Sequence, residues 1–134
     1  MTELTQKEKE MLCAIKSAKR FPIARFELRN SKEKSIISTA LNNVWLNSPD
    51  QSMEEVKENG NILQSLKEKG LINLDYALVV AVSSDYNIYY QSKVFGLLCD
   101  LVEEGKTKPD FIFDLPYIKK GMAKLTAKGQ RMVL

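Results

Sequence analysis

One stretch of this chain is punctuated at both ends. Ser52-Met53-Glu54-Glu55 has the form of a capping box, in which the Ser hydroxyl and the Glu carboxylate each satisfy an orphan amide at a helix start. Met53, Val56, Gly60, Leu63 and Leu66 then recur at helical spacing. Lys67 and Lys69 suit the negative end of a helix dipole, and Gly70 can take the left-handed conformation that ends a helix. The spacing predicts one helix over 52–69 with a single apolar face. Gly60 is read as a small residue on that face, where a neighbouring backbone comes close; two pieces broken at Asn59-Gly60 are the alternative.

The rest of the chain must supply what this face covers. Thr5-Gln6-Lys7-Glu8 is a second capping box, and Met11, Leu12, Ile15 and Ala18 carry a first helix to about Lys19, where Phe21-Pro22 stops it. IARFEL, at 23–28, alternates as a short half-buried strand or an extended linker does. Asn30 or Ser31 can cap a second helix whose face is Ile36, Ile37, Ala40, Leu41, Val44 and Trp45, closed by the turn Asn47-Ser48-Pro49-Asp50. Beyond Gly70, Leu71, Ile72 and Leu74 begin an extended segment, and ALVVAV at 77–82 is a strand or a buried connection. Ser84 or Asn87 opens the longest helix, which runs to Gly105 with Ile88, Val94, Phe95, Leu98, Leu101 and Val102 on one side, widened by Tyr90 and Leu97. DFIFDL at 110–115 reads as a strand, Leu115-Pro116 as its break and Lys119–Leu125 as the return strand. Thr126 caps a final turn containing Lys128 and Gly129.

A chain of 134 residues can form one core and not two, so residues 1–134 are read as a single domain. There is no histidine, which removes the usual general base and the commonest metal ligand, and no phosphate-loop, dinucleotide, nucleophile-elbow or EF-hand pattern is present. The sequence therefore does not read as an enzyme, and it names no cofactor. No apolar run reaches bilayer length, and MTELTQKEKE lacks the apolar core of a signal peptide, so a cytoplasmic protein without membrane contact is expected. Cys13 and Cys99 lie in apolar helical patterns and are read as buried, reduced thiols. The net charge of +3 is unevenly spread. Residues 1–34 hold nine Lys/Arg against five Asp/Glu, residues 35–75 three against six, and residues 76–134 eight against six. From Leu115 to Leu134 there are five cations and no acidic residue, which marks a solvated tail or an anion-binding edge.

The order of these elements, with Leu63, Leu66, Lys69, Gly70, Leu71 and Ile72 closing the third helix and Leu125, Thr126, Lys128 and Gly129 following the last strand, resembles the winged-helix bacterial transcriptional regulators of the MarR and PadR types. The resemblance implies an α+β fold in which a three-helix core and a small antiparallel sheet occupy 1–75 and 110–134. An extra long helix, at 84–105, stands between the third helix and the C-terminal wing strands. It implies a DNA-binding regulator whose third helix completes a helix-turn-helix and enters the major groove of double-stranded DNA, while the wing rests on phosphates. On that reading Lys57, Asn59, Asn61, Gln64 and Ser65 face the bases, and Arg25, Arg29, Lys119, Lys120 and Lys124 hold the backbone.

The apolar stripe of residues 88–102 is wider than one helix face of a small domain buries. A homodimer with Tyr86, Tyr90, Val94, Leu97 and Leu101 at its interface would cover the excess. Tyr86, Tyr89, Tyr90 and Phe95 are accordingly read as core or interface rather than as a small-molecule pocket, and the sequence names no effector. Glu54, Glu55, Glu58 and Glu68 against Lys57, Lys67 and Lys69 leave the third helix at −1, which opposes phosphate binding. The alternative function is a winged-helix-derived protein-interaction or assembly module that does not bind DNA.

Overall fold

A computed structural model describes residues 3–78 and 80–133. In chain order it contains α1 (Gln6–Ser17), β1 (Pro22–Arg29), β2 (Ile37–Val44), α2 (Met53–Glu68), β3 (Ile72–Asp75), a 3-10 turn (Ser83–Tyr86), α3 (Asn87–Tyr90), α4 (Lys93–Gly105), β4 (Leu115–Leu125) and α5 (Ala127–Met132). The strands form one antiparallel sheet in the order β2-β1-β4-β3, so the architecture is α+β. None of these helices is long and apolar enough to cross a membrane.

Local punctuation decides the helices it was expected to decide. Both capping boxes form: Thr5 accepts from the Glu8 amide at 3.1 Å while Glu8 accepts from the Thr5 amide at 2.9 Å, and Ser52 and Glu55 do the same at the start of α2. α2 runs unbroken through Gly60. A Cβ at that position would lie 2.9 Å from the Asn42 carbonyl oxygen and 3.2 Å from that of Asn43, so only glycine lets the helix settle against β2. Gly70 has φ +75, and the Leu71 amide reaches back to the Leu66 carbonyl in a Schellman-type closure. Thr126 caps α5 by accepting from the Gly129 amide.

Four expectations fail where tertiary pairing outweighs local pattern. The second helix is not formed, because its residues are strand β2, which pairs with β1 after a loop in which Asn30 Oδ1 accepts from the amides of Lys32 and Glu33. Its helix-spaced apolar residues are not a buried face, since Ile37 is 47% exposed on this edge strand. The middle member of the expected three-helix core, and with it the helix-turn-helix, is therefore absent among the described residues. The long helix at 84–105 is broken: Ser92, buried, caps α4 by accepting from the Phe95 amide and donates to the Tyr89 carbonyl. DFIFDL does not make a separate strand, because Phe111 and Phe113 pack on the core and Asp114 takes the Ser31 amide and hydroxyl. Leu115-Pro116 begins β4 instead of ending a strand. β3 pairs only with Met122–Leu125, so the missing amide of Pro116 lies where β4 has no second neighbour.

ALVVAV, with Val79 outside the described residues, forms no strand in its described part. Val80 is 83% exposed. Cys13 is exposed and Cys99 half-buried, both free, which corrects the expectation of two buried thiols.

The sheet carries apolar clusters on both faces. On one, Ala24, Phe26 and Leu28 of β1 and Ile118 of β4 meet Val94, Leu98 and Val102 of α4 together with Tyr86 and Tyr89. On the other, Ile23 and Ala123 meet Met11, Leu12 and Ile15 of α1 and Leu63 and Leu66 of α2. Full burial of each large side chain contributes about 1.5–3 kcal/mol.

Candidate nucleic-acid interface

In the pairing of β1 with β4, Ile23 stands opposite Gly121, Arg25 opposite Lys119, Glu27 opposite Tyr117 and Arg29 opposite Leu115. Side chains alternate across a strand, so all of these residues share the face that α1 and α2 pack against. The helices cover only its Ile23–Ala123 end. Towards the other end Ile37, Leu115 and Tyr117 are 47%, 39% and 38% exposed, and the sheet is open.

Tyr76, just past β3, closes the packed half. Its ring lies over Gly121 and its hydroxyl donates to Asn43 Oδ1 at 2.7 Å. Burial pushes this phenol up to about 12 against the opposing charge of Arg25, so it remains a protonated donor at neutral pH. The Arg25 guanidinium sits 4.2 Å from the centre of the Tyr76 ring and its Nε donates to Asn42 Oδ1. One pair of rungs further along, Arg29 lies 3.6 Å from the centre of the Tyr117 ring, while its Nε and Nη2 donate to Glu27 Oε1 at 2.8 and 2.5 Å. Glu27 is buried, so Arg29 is the group that satisfies its charge. Lys119 has no ion-pair partner among the described residues.

Arg25, Arg29 and Lys119 against Glu27 leave this open face at +2. Cations beside accessible rings at strand spacing can take phosphate oxygens and a stacked base together.

The other expected backbone-binding residues do not join this group. Lys120 and Lys124 have the opposite parity along β4, and Lys120 lies 5.6 Å from the Tyr86 ring on the far face. The one-edge lysine array expected from 119–124 is thus split by strand alternation. Residues of α2 expected to face bases are also dispersed. Gln64 accepts from Asn43 Nδ2 at 3.0 Å, and Ser65 donates to Glu8 Oε2 at 2.9 Å. Asn59 lines the cleft between α1 and α2 near Trp45. Lys57 and Asn61 are exposed, but beside Glu54, Glu58 and Glu68.

Ser65 serves the buried carboxylate of Glu8, which also takes both Lys69 contacts at 2.7 and 2.9 Å. Burial alone would raise the pKa of Glu8, but the Lys69 ammonium, the Thr5 amide and the Ser65 hydroxyl outweigh it and hold it at about 2. This corner fastens α1 to α2 and is structural. Of the expected interface residues, Tyr86 and Val94 are core, which corrects their assignment, whereas Tyr90, Leu97 and Leu101 are exposed. Sequence reasoning missed Tyr76 and Tyr117. The β-prone pair Tyr117-Ile118 was the available signal for Tyr117, and no local signal pointed to Tyr76.

No family model, no curated protein and no solved structure matches the chain.

Proposed function

We propose that the protein binds nucleic acid on the open half of its sheet, with Arg25 and Lys119 at phosphates and Tyr117 against a base, while Arg29, expected at a phosphate, is committed to Glu27. The observation that carries this reading is the coincidence of two cations without a carboxylate partner among the described residues, Arg25 and Lys119, with an exposed tyrosine on one sheet face. A flat face with an accessible ring favours a single strand, whose bases are free to stack, over a duplex, which hides them. The reading keeps the nucleic-acid class that the sequence suggests and moves the contact away from α2, whose exposed Glu54 and Glu68 repel phosphates.

The winged-helix regulator reading instead requires duplex binding through Lys57 and Asn61. Anisotropy titrations of a labelled oligothymidine and of a random duplex, at low and moderate salt, separate the two. We expect the single strand to bind more tightly, with Tyr117→Ala weakening it about ten-fold, as one stacked base contributes ~1–3 kcal/mol. Preferential duplex binding that is lost in Lys57→Ala/Asn61→Ala would favour the regulator, and no binding of either oligonucleotide would defeat both.

One observation favours assembly as a second reading. Leu97 and Leu101 stand one turn apart on the outer side of α4, and Tyr90, whose ring meets Phe95 of the same helix, is also exposed. A homodimer joined there would become monomeric, and remain folded, in Leu97→Glu; sedimentation equilibrium measures this.

A further inference from the structure

A groove of about 640 Å³ opens between the end of α1, the Met122–Leu125 end of β4 and Leu78 on the connection after β3. That volume lies within the range of roughly 300–1,000 Å³ found for small-ligand sites. Its floor is apolar, with Ile15, Phe21, Leu78 and Met122. Its rim carries Lys16, Lys19, Arg20 and Lys124, and no acidic residue lines it.

The rim charges are not equivalent. Arg20 is held by Asp85 through Nε at 2.7 Å and Nη2 at 3.1 Å, so its charge is neutralised. Lys16 donates to the Val133 carbonyl at 2.8 Å and keeps its charge. Lys19 and Lys124 have no ion-pair partner among the described residues. Three uncompensated cations outweigh the partial charge of about −0.5 that the C-terminal end of α1 presents here.

An apolar floor under a one-sign cationic rim selects for a molecule with both features. A polyanion would leave the floor uncovered, a neutral apolar molecule would leave the rim unused, and a cation would be repelled. We propose that this groove binds a free single-chain anionic amphiphile, its tail along Phe21 and Met122 and its carboxylate or sulfonate head among Lys16, Lys19 and Lys124. The site is separate from the open sheet face, and either can fail without the other.

The probes are laurate and dodecyltrimethylammonium, which share a chain and differ in head charge, each kept below its micellar concentration. Calorimetry measures binding. Trp45, the single tryptophan, stacks on Phe21 with ring centres 5.0 Å apart and reports occupancy of the floor. We expect laurate to bind and shift Trp45 emission, and the ammonium to do neither. Lys19→Glu combined with Lys124→Glu, both at solvent-exposed positions, should weaken laurate roughly ten-fold with unchanged melting. Equal affinity for the two heads, undiminished laurate binding in the charge-reversed variant, or no laurate binding would each overturn the proposal. Binding to anionic vesicles but not to monomeric laurate would overturn it as well, because the surface would then be one for a bilayer.

Discussion

The same two strands build two unlike halves of one sheet face. At the Ile23–Ala123 end the inward positions are apolar and lie under α1 and α2, while a few rungs away the same parity holds Arg25, Glu27, Arg29, Tyr117 and Lys119. The strands do not change between the halves; what lies over them does. Tyr76 marks the boundary, with its ring on the packed side and Arg25 against its outer surface. The opposite face of the open half is filled by α4 and its neighbours, so that half is backed by core without being covered. A surface that is rigid and uncovered is suited to receive a partner at small ordering cost.

The difference can be broken first from the packed side. Leu66→Asp should unfold the protein, because it places an unpaired charge in a site of zero exposure at a cost of several kcal/mol, as read by circular dichroism. Acid should act on the same half. The folded-state pKa of Glu8 is depressed to about 2, so its contribution is complete above the unfolded value near 4.5 and is lost as pH falls towards 2. Up to about 3 kcal/mol should disappear over that window in denaturant titrations, and Glu8→Gln should flatten the profile. Gly60→Val should cost about 1–3 kcal/mol, since its Cβ would meet the backbone oxygens of Asn42 and Asn43. On the open side, Lys119→Ala should shift stability by less than ~0.5 kcal/mol while flattening the salt dependence of oligonucleotide binding by about one phosphate contact. A Lys119 variant as damaging as Leu66→Asp would show that the two halves are one packed unit.

Legibility followed the range of the determining interaction. α1, α2, the closure at Gly70 and the cap at Thr126 were readable because each is set by residues within one or two turns. The apolar spacing of Ile36–Trp45 is helical, and pairing with β1, which lies outside that stretch, overrode it. The break at Ser92 was hidden by an apolar stripe continuing on both sides of it. At the candidate site Arg25 and Lys119 were recognised as cations, but their adjacency depends on a register between residues far apart in sequence. The same register sent Lys120 and Lys124 to the other face.

That register also has a temporal side. β1 and β4 pair positions roughly ninety residues apart, and such non-local contacts pay their loop-closure entropy before any contact repays it, which slows folding. The β1–β2 hairpin can assemble early from nearby residues, but the place on the other side of β1 stays vacant until β4 arrives. During that interval β1 exposes an apolar edge on which a wrong strand could add, so refolding should be slower and more prone to aggregation than the helix content alone would suggest.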